Sequence, residues 1–360
     1  MSDDRIPCAI LGAGGYIGQH FARLLADHPS FALPALGAGD RSGGKSLAEV
    51  WQLADAPPPV LADRHLDRLT PATLARTGIR IVFSALPSGP AGPIESELAR
   101  RGISVFTNAA DHRMDPTVPL LVPEVNADHL RLVRGRPSGR GLLVANPNCS
   151  ATGLVVALAP LLPLLAPRAV HVSTYQSLSG AGYPGVPSLA ITDNVLPFVP
   201  EEEEKVAQES ARMLGRRRGG RVVELGVPFL VHCARVATRE GHLESVTVEA
   251  ARRPSRADIL AALRGFDPLA GRPLPSAPHP PIELRTEADR PQPIRDRWAG
   301  APARARGMAV VVGRVRWEAP YLRFFLLSHN AVRGGAGASV LNAELALAEG
   351  LLSPGWSAGA

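Results

Sequence analysis

Near the amino terminus, Gly12-Ala13-Gly14-Gly15-Tyr16-Ile17-Gly18 sets glycines at positions 12, 15 and 18. An apolar run at 7–11 precedes them, and a helical pattern with Ile17, Phe21, Leu24 and Leu25 on one face follows. Glycine allows a tight strand-to-helix turn and close approach of backbone amides to a pyrophosphate, whose charge the helix N-terminus stabilises. At a first strand-helix junction such a turn predicts a dinucleotide-binding half with a parallel, doubly wound sheet. Later segments fit: 32–38 and 79–84 read as strands, 95–101 as helix, and 103–107 and 142–145 as strands.

A chain of 360 residues is too long for one compact core, so two domains are expected. Beyond position 149 the rhythm changes to longer strands with fewer helices between them, at 169–175, 221–228, 243–250, 308–317 and 322–328. That predicts a second α+β domain built on a mixed sheet. The expected division is 1–148, plus a C-terminal segment from about 330 to 360, against 149–329. A last helix at about 337–352 would pack back on the first domain. The proline-rich stretch 273–293 reads as a surface excursion.

Several function classes are excluded. The longest apolar stretch, 154–166, is broken by Pro160 and Pro163, so no membrane span is expected. Met1-Ser2-Asp3-Asp4-Arg5 lacks a signal-peptide layout, which predicts a cytoplasmic protein. The three cysteines, Cys8, Cys149 and Cys233, make no disulfide framework. Cys233 lies beside His232 and near His242 but lacks a second ligand pair, so no metal is expected. The net charge of +6 comes from scattered arginines, which argues for small anionic ligands and against nucleic acid. Of the 39 basic residues only Lys45 and Lys205 are lysine, which suggests places where a compact charge is needed.

Lys45 closes Gly39-Asp40-Arg41-Ser42-Gly43-Gly44-Lys45, at the end of the second predicted strand. Arg41, Ser42 and Lys45 suit a 2′-phosphate, whereas Asp40 suits a free ribose hydroxyl. Two cations against one carboxylate favour NADP over NAD. Asn146-Pro147-Asn148-Cys149-Ser150 joins a strand to an apolar helix and sets Cys149 at a helix N-terminus, where partial positive charge favours thiolate. Asn148 and the backbone N–H groups of this turn are candidates to stabilise an oxyanion. A thiolate nucleophile needs a proton-handling partner, and His242, in Arg235-Val236-Ala237-Thr238-Arg239-Glu240-Gly241-His242, is the best candidate. His171 and His232 sit within apolar strand patterns.

Taken in order, these motifs resemble the aspartate-semialdehyde dehydrogenase family, in particular its archaeal and fungal branch. The likeness runs through the glycine loop, Arg41 to Lys45, the Asn146 to Cys149 turn, and Gln176-Ser177-Leu178-Ser179-Gly180-Ala181-Gly182. It continues through Tyr183 to Ser188, Glu201 to Lys205, Arg235 to His242, and Ser328-His329-Asn330-Ala331-Val332-Arg333-Gly334. The resemblance implies an NADP-dependent enzyme that makes L-aspartate 4-semialdehyde from 4-phospho-L-aspartate, in lysine, methionine and threonine biosynthesis. It implies Cys149 as nucleophile, His242 as acid/base and Gln176 as the residue orienting substrate. Arg235 would pair with the α-carboxylate, Glu202 with the ammonium, and Arg113 and Lys205 with phosphate. Gly12, Gly15, Tyr16, Ile17, Gly18, Ser84, Ser179, Gly180 and Asn330 would contact cofactor, and a homodimer or homotetramer is expected. Departures at Ala234, at positions 237–239 and at Asp111-His112 fall in loops expected near the substrate. Three alternatives stay open: a reductase of another acyl phosphate or acyl-CoA, a paralogue that serves a specialised pathway, and a catalytically silent NADP-binding protein. Dependence on phosphate or CoA separates the first, and thiol reactivity at Cys149 the last.

Overall fold

In the computed structural model, which describes residues 4–39 and 41–352, two sheets carry the chain. The first holds five parallel strands, β1 (Ile6–Leu11), β2 (Phe31–Gly37), β3 (Ile81–Ser84), β4 (Ser104–Thr107) and β5 (Leu143–Ala145), in the order β2-β1-β3-β4-β5. Parallel strands are covered on both faces, and β3 and β4 are buried at every position. On one face Ile10, Phe83 and Phe106 pack against Phe21 and Leu25 of α1 (Tyr16–Leu25). On the other, Ala9, Val82 and Val105 pack against Leu98 of α2 (Ala91–Arg100). The period-two alternation of each strand therefore serves two helical layers.

The second sheet is mixed. Its strands are β6 (Pro167–Gln176), β7 (Phe229–Arg235), β8 (His242–Ala250), β9 (Ile282–Leu284), β10 (Val310–Glu318) and β11 (Tyr321–Ser328). The order is β9-β10-β11-β8-β6-β7, with parallel pairs at β9/β10 and β6/β7 and antiparallel pairs between. Two helices, α3 (Cys149–Leu158) and α4 (Glu202–Met213), cover one face. Every residue of α3 from Ser150 to Leu158 is buried. The opposite face is open, with His171, Ser173, Tyr175, Leu230 and His232 exposed. A final helix, α5 (Gly337–Ala348), sends Val340, Leu341 and Leu345 into the core beside Phe21 of α1.

The expected class, a parallel α/β half joined to a mixed-sheet α+β half, is the observed one. Three segments differ from expectation. Only Arg221–Val223 of the 221–228 segment is strand, paired with Arg216–Arg218 in a separate two-stranded ribbon. The sheet strand is β7, which begins immediately after Pro228, the residue whose carbonyl accepts the Val170 N–H. Its inward series ends in buried Cys233 and Arg235, and a buried arginine breaks the hydrophobic alternation that would have revealed it. The proline-rich excursion contributes β9 to the sheet edge. The last helix stops at Ala348, short of the expected 352, and residues 353–360 lie outside those described.

Candidate active site

Topology brings the key side chains together. β5 ends at Ala145, and four residues later Cys149 opens α3. The N-cap Asn148 accepts from the Ser150 N–H at 2.9 Å and the Ala151 N–H at 3.2 Å, which satisfies two donors the first turn would otherwise leave free. β6 ends at Gln176 and its parallel neighbour β7 ends at Arg235, paired in register. β8 runs the other way, so its first residue, His242, lies at that same end of the sheet. Cys149 Sγ stands 3.2 Å from His242 Nε2. The loop after Gln176 passes so close that a Cβ on Gly180 would lie 2.7 Å from Arg235 Nη1 and 3.1 Å from the His242 ring. Only glycine permits that approach.

His242 is fully buried, and burial, followed by the Arg235 charge, lowers its pKa to about 3. Burial, followed by the Glu202 charge, pushes the Cys149 thiol up to about 12, against the opposing pull of Arg113, Arg235 and the Ser150 N–H. Desolvation and the Glu202 charge thus oppose the pull of the helix N-terminus toward thiolate.

A cavity of about 460 Å³ adjoins the sulfur, lined by Gln176, Arg113, Glu202, Lys205 and Arg235 among others. Glu202 Oε1 accepts from Asn148 Nδ2 and Gln176 Nε2, both at 2.9 Å. Gln176 Nε2 also donates to Ser150 Oγ at 3.1 Å. Arg235 Nη1 donates to the Ser177 carbonyl at 2.8 Å, which fixes the buried guanidinium. Lys205 Nζ pairs with exposed Glu201 at 2.7 Å. Among the other residues of the glutamate run, Glu203 accepts the Cys233 N–H at 2.9 Å.

One central residue was missed from the sequence. Buried Glu209 accepts from Arg113 Nη1 at 3.0 Å and from the Asn148 N–H at 2.6 Å. Its only signal was position: it follows Glu202 by seven residues, which puts both on one face of α4. The Asn148 N–H is given to Glu209 on α4, and the Ser150 and Ala151 N–H groups meet the Asn148 side chain.

A second cavity, of about 770 Å³, holds the glycine turn. Gly14, Gly15, Tyr16 and Ile17 line it together with Arg41, Ser42 and Lys45. Gly12 has φ +82°, and a Cβ on Gly18 would collide with the Gly12 carbonyl, so the turn is built for bare backbone. This cradle of amides at a helix N-terminus, with two cations beyond it, fits a dinucleotide carrying an extra phosphate. Asp40 lies outside the described residues. Ser84 is buried at the end of β3 and lines neither cavity, whereas Ala85, Leu86 and Pro87 line the second. Trp51, which no motif marks, and Tyr183, the first residue of the Tyr183 to Ser188 stretch, line it too.

Tyr16 and Ile17 line both cavities, which places the two sites side by side. The Tyr16 hydroxyl donates to Glu240, two residues before His242. Asn330 lies between the same elements: Oδ1 accepts the Gly241 N–H at 2.9 Å, and Nδ2 donates to Ser179 Oγ at 2.9 Å. Cys149, Gln176, Arg113 and Lys205 thus line one cleft beside a nucleotide cradle, with His242 buried behind the sulfur, an arrangement suited to covalent acyl transfer coupled to hydride transfer.

Comparison with known proteins agrees. The model described as "Semialdehyde dehydrogenase, NAD binding domain" matches residues 7–133, and "Semialdehyde dehydrogenase, dimerisation domain" matches 158–333. The aspartate-semialdehyde dehydrogenase of Archaeoglobus fulgidus is 42% identical, covering 97% of this chain and all of its own. That of Aspergillus fumigatus is 40% identical, covering 96% and 98%. A malonyl CoA reductase (NADP) of Metallosphaera sedula is 38% identical, covering 96% and 98%. Among solved structures, an aspartate semialdehyde dehydrogenase with NADP from Candida albicans superposes with a TM-score of 0.84 at 32% identity, covering 97% of this chain and all of that one.

Proposed function

The chain belongs to the aspartate-semialdehyde dehydrogenase family, and on that premise we propose that it reduces 4-phospho-L-aspartate to L-aspartate 4-semialdehyde, reversibly, through a thioester on Cys149. The observation that carries the reading is the 3.2 Å contact between Cys149 Sγ and His242 Nε2 inside a cleft lined by Glu202, Arg113, Lys205 and Arg235. The Cys149 sulfur attacks the acyl carbon as its proton passes to His242. Arg113 and Lys205 hold the phosphate that leaves. NADPH, when bound, supplies the hydride. His242 then handles the proton as sulfur departs and the aldehyde forms. Arg235 holds the α-carboxylate and Glu202 the ammonium. Arg41, Ser42 and Lys45 select NADP by its 2′-phosphate.

Glu202 favours this reading over the acyl-CoA alternative that the malonyl CoA reductase relative raises. A malonyl group brings a carboxylate but no ammonium, and the Glu202 charge, fixed by Asn148 and Gln176, has nothing to meet it. The open face of the second sheet, with Tyr175 and Leu230 exposed, suits a homodimer or homotetramer contact. We assign residues 1–148 with the C-terminal helix to cofactor binding, 149–329 to catalysis and assembly, and the protein to the cytoplasm. No helix among the described residues is long and apolar enough to cross a membrane.

The test is reduction of NADP⁺ by L-aspartate 4-semialdehyde with and without phosphate, set against malonate semialdehyde with CoA. Phosphate dependence supports the reading, and CoA dependence refutes it. Cys149→Ala should abolish turnover and leave NADPH binding intact.

A further inference from the structure

We propose that Ser177 is a positioning residue that serves both protonation states of His242, donating to Nδ1 through its backbone and accepting from Nδ1 through its hydroxyl. The proposal rests on the reading of His242 as proton partner of Cys149. A fully buried ring has no water to meet its second nitrogen when that nitrogen gains or loses a proton. Ser177 stands on that side alone among the hydrogen-bond partners described. Its N–H is 3.1 Å from Nδ1 and its Oγ is 3.2 Å away. In the neutral ring with hydrogen on Nε2, Nδ1 accepts the Ser177 N–H. With hydrogen on Nδ1 the Ser177 N–H loses its acceptor, and the hydroxyl oxygen, 3.2 Å away, is the acceptor described on that side.

That oxygen accepts only if its own hydrogen points elsewhere, and the neighbours fix where. The Gly241 N–H can only donate, and it reaches Asn330 Oδ1 at 2.9 Å. This orients the carboxamide with its oxygen toward Ser177, whose Oγ–H donates to it at 3.1 Å. The Asn330 amide nitrogen is held in turn by Ser179 Oγ at 2.9 Å. A lone pair of Ser177 Oγ is thereby left for the ring. The charged and titratable groups facing the imidazole are Cys149 from α3, Arg235 from β7 and His329 after β11, with no carboxylate bonded to it. The hydroxyl therefore fills the place that a carboxylate takes behind many catalytic histidines.

The proton step follows. With hydrogen on Nδ1, Nε2 takes the proton of the Cys149 S–H, and sulfur keeps the electron pair. The products are thiolate, paired with Nε2–H, and imidazolium, whose Nδ1–H rests on Ser177 Oγ. Ser177→Ala keeps the N–H and loses that acceptor together with the Oγ–H donated to Asn330 Oδ1 and the Oγ contact with Ser179 Oγ.

The test is iodoacetamide alkylation of Cys149 as a function of pH, in the native protein and in Ser177→Ala, with thermal melting as the check on folding. Loss of a hydrogen bond to a charged group should slow alkylation at pH 7 by about tenfold. The two curves should converge at high pH, where thiolate forms without ring protonation, an outcome a general loosening of the site would not give. Native alkylation rates in Ser177→Ala at pH 7, or a constant deficit at every pH, overturn the proposal. Persistent turnover in Cys149→Ala would instead refute the thioester reading beneath it, so the two failures are distinguishable.

Discussion

Gly334 lies against Cys149, the proposed nucleophile, and its missing side chain sets a quantitative expectation. A Cβ there would fall 2.6 Å from Cys149 Cβ and 2.7 Å from Cys149 Cα, about 0.8 Å inside the 3.4 Å at which ordinary contact begins. Neither partner can yield cheaply. The Gly334 N–H donates to the His329 carbonyl at 3.0 Å, and its own carbonyl accepts from Asn146 Nδ2 at 3.3 Å. Cys149 is held by the cap and by α3. The displacement therefore falls on the sulfur and on its 3.2 Å contact with His242. Misplacing a reacting group by about 1 Å costs roughly 10²-fold in rate, and overpacking costs about 1–3 kcal/mol of stability. Gly334→Ala should lower kcat about a hundredfold, a loss matched to the misplacement, with NADPH affinity nearly unchanged. Steady-state kinetics, NADPH fluorescence titration and thermal melting measure the three quantities. A variant that folds and turns over within about threefold of the native protein, against the hundredfold expected, would show that the nucleophile is not held where we place it.

Four other outcomes are expected. Arg333 and Glu124 form a bidentate pair at 2.6 and 2.9 Å, with both side chains buried, so Arg333→Ala should cost about 3–5 kcal/mol by denaturant unfolding; a loss below about 1 kcal/mol would contradict the pairing. Glu202→Gln removes the charge that raises the Cys149 pKa, so the alkylation curve should move to lower pH while KM for the amino-acid substrate rises; an unmoved curve refutes that coupling. Lys45→Ala should narrow the preference for NADPH over NADH by about tenfold, the value of one charge-assisted contact, and a KM ratio equal to that of the native protein counts against the 2′-phosphate assignment. His20 and His242 have pKa values lowered to about 3 by burial, and His329 falls well below its usual range. The unfolded chain binds protons there that the fold does not, so Tm should fall as pH drops from about 6.5 toward 3; a flat Tm over that range would refute it.

What could be read in advance followed from local chemistry. The glycine turn, the helix start at Cys149 and the alternation of β3 and β4 are set by residues close in sequence. β7 escaped because its inner face ends in Arg235, a charge retained inside for its position beside Ser177 and His242. Glu209 escaped because its meaning lies in Arg113 and Asn148, distant in sequence, and an acidic residue on a helix otherwise reads as solvated surface. The thiol's protonation state depends on desolvation and on the Glu202 charge, both properties of the assembled cleft.

The nucleophile's helix has a consequence for how activity is lost. The strand that leads into α3 belongs to one sheet, while its buried side chains, Leu154 and Val155 among them, pack with Val172 and Val246 of the other. A segment so apolar on every side gains little from standing alone in water. Neither half of the molecule can thus keep a competent nucleophile while the other melts. Inactivation and global unfolding should follow a single denaturant transition, with no inactive but folded form between them.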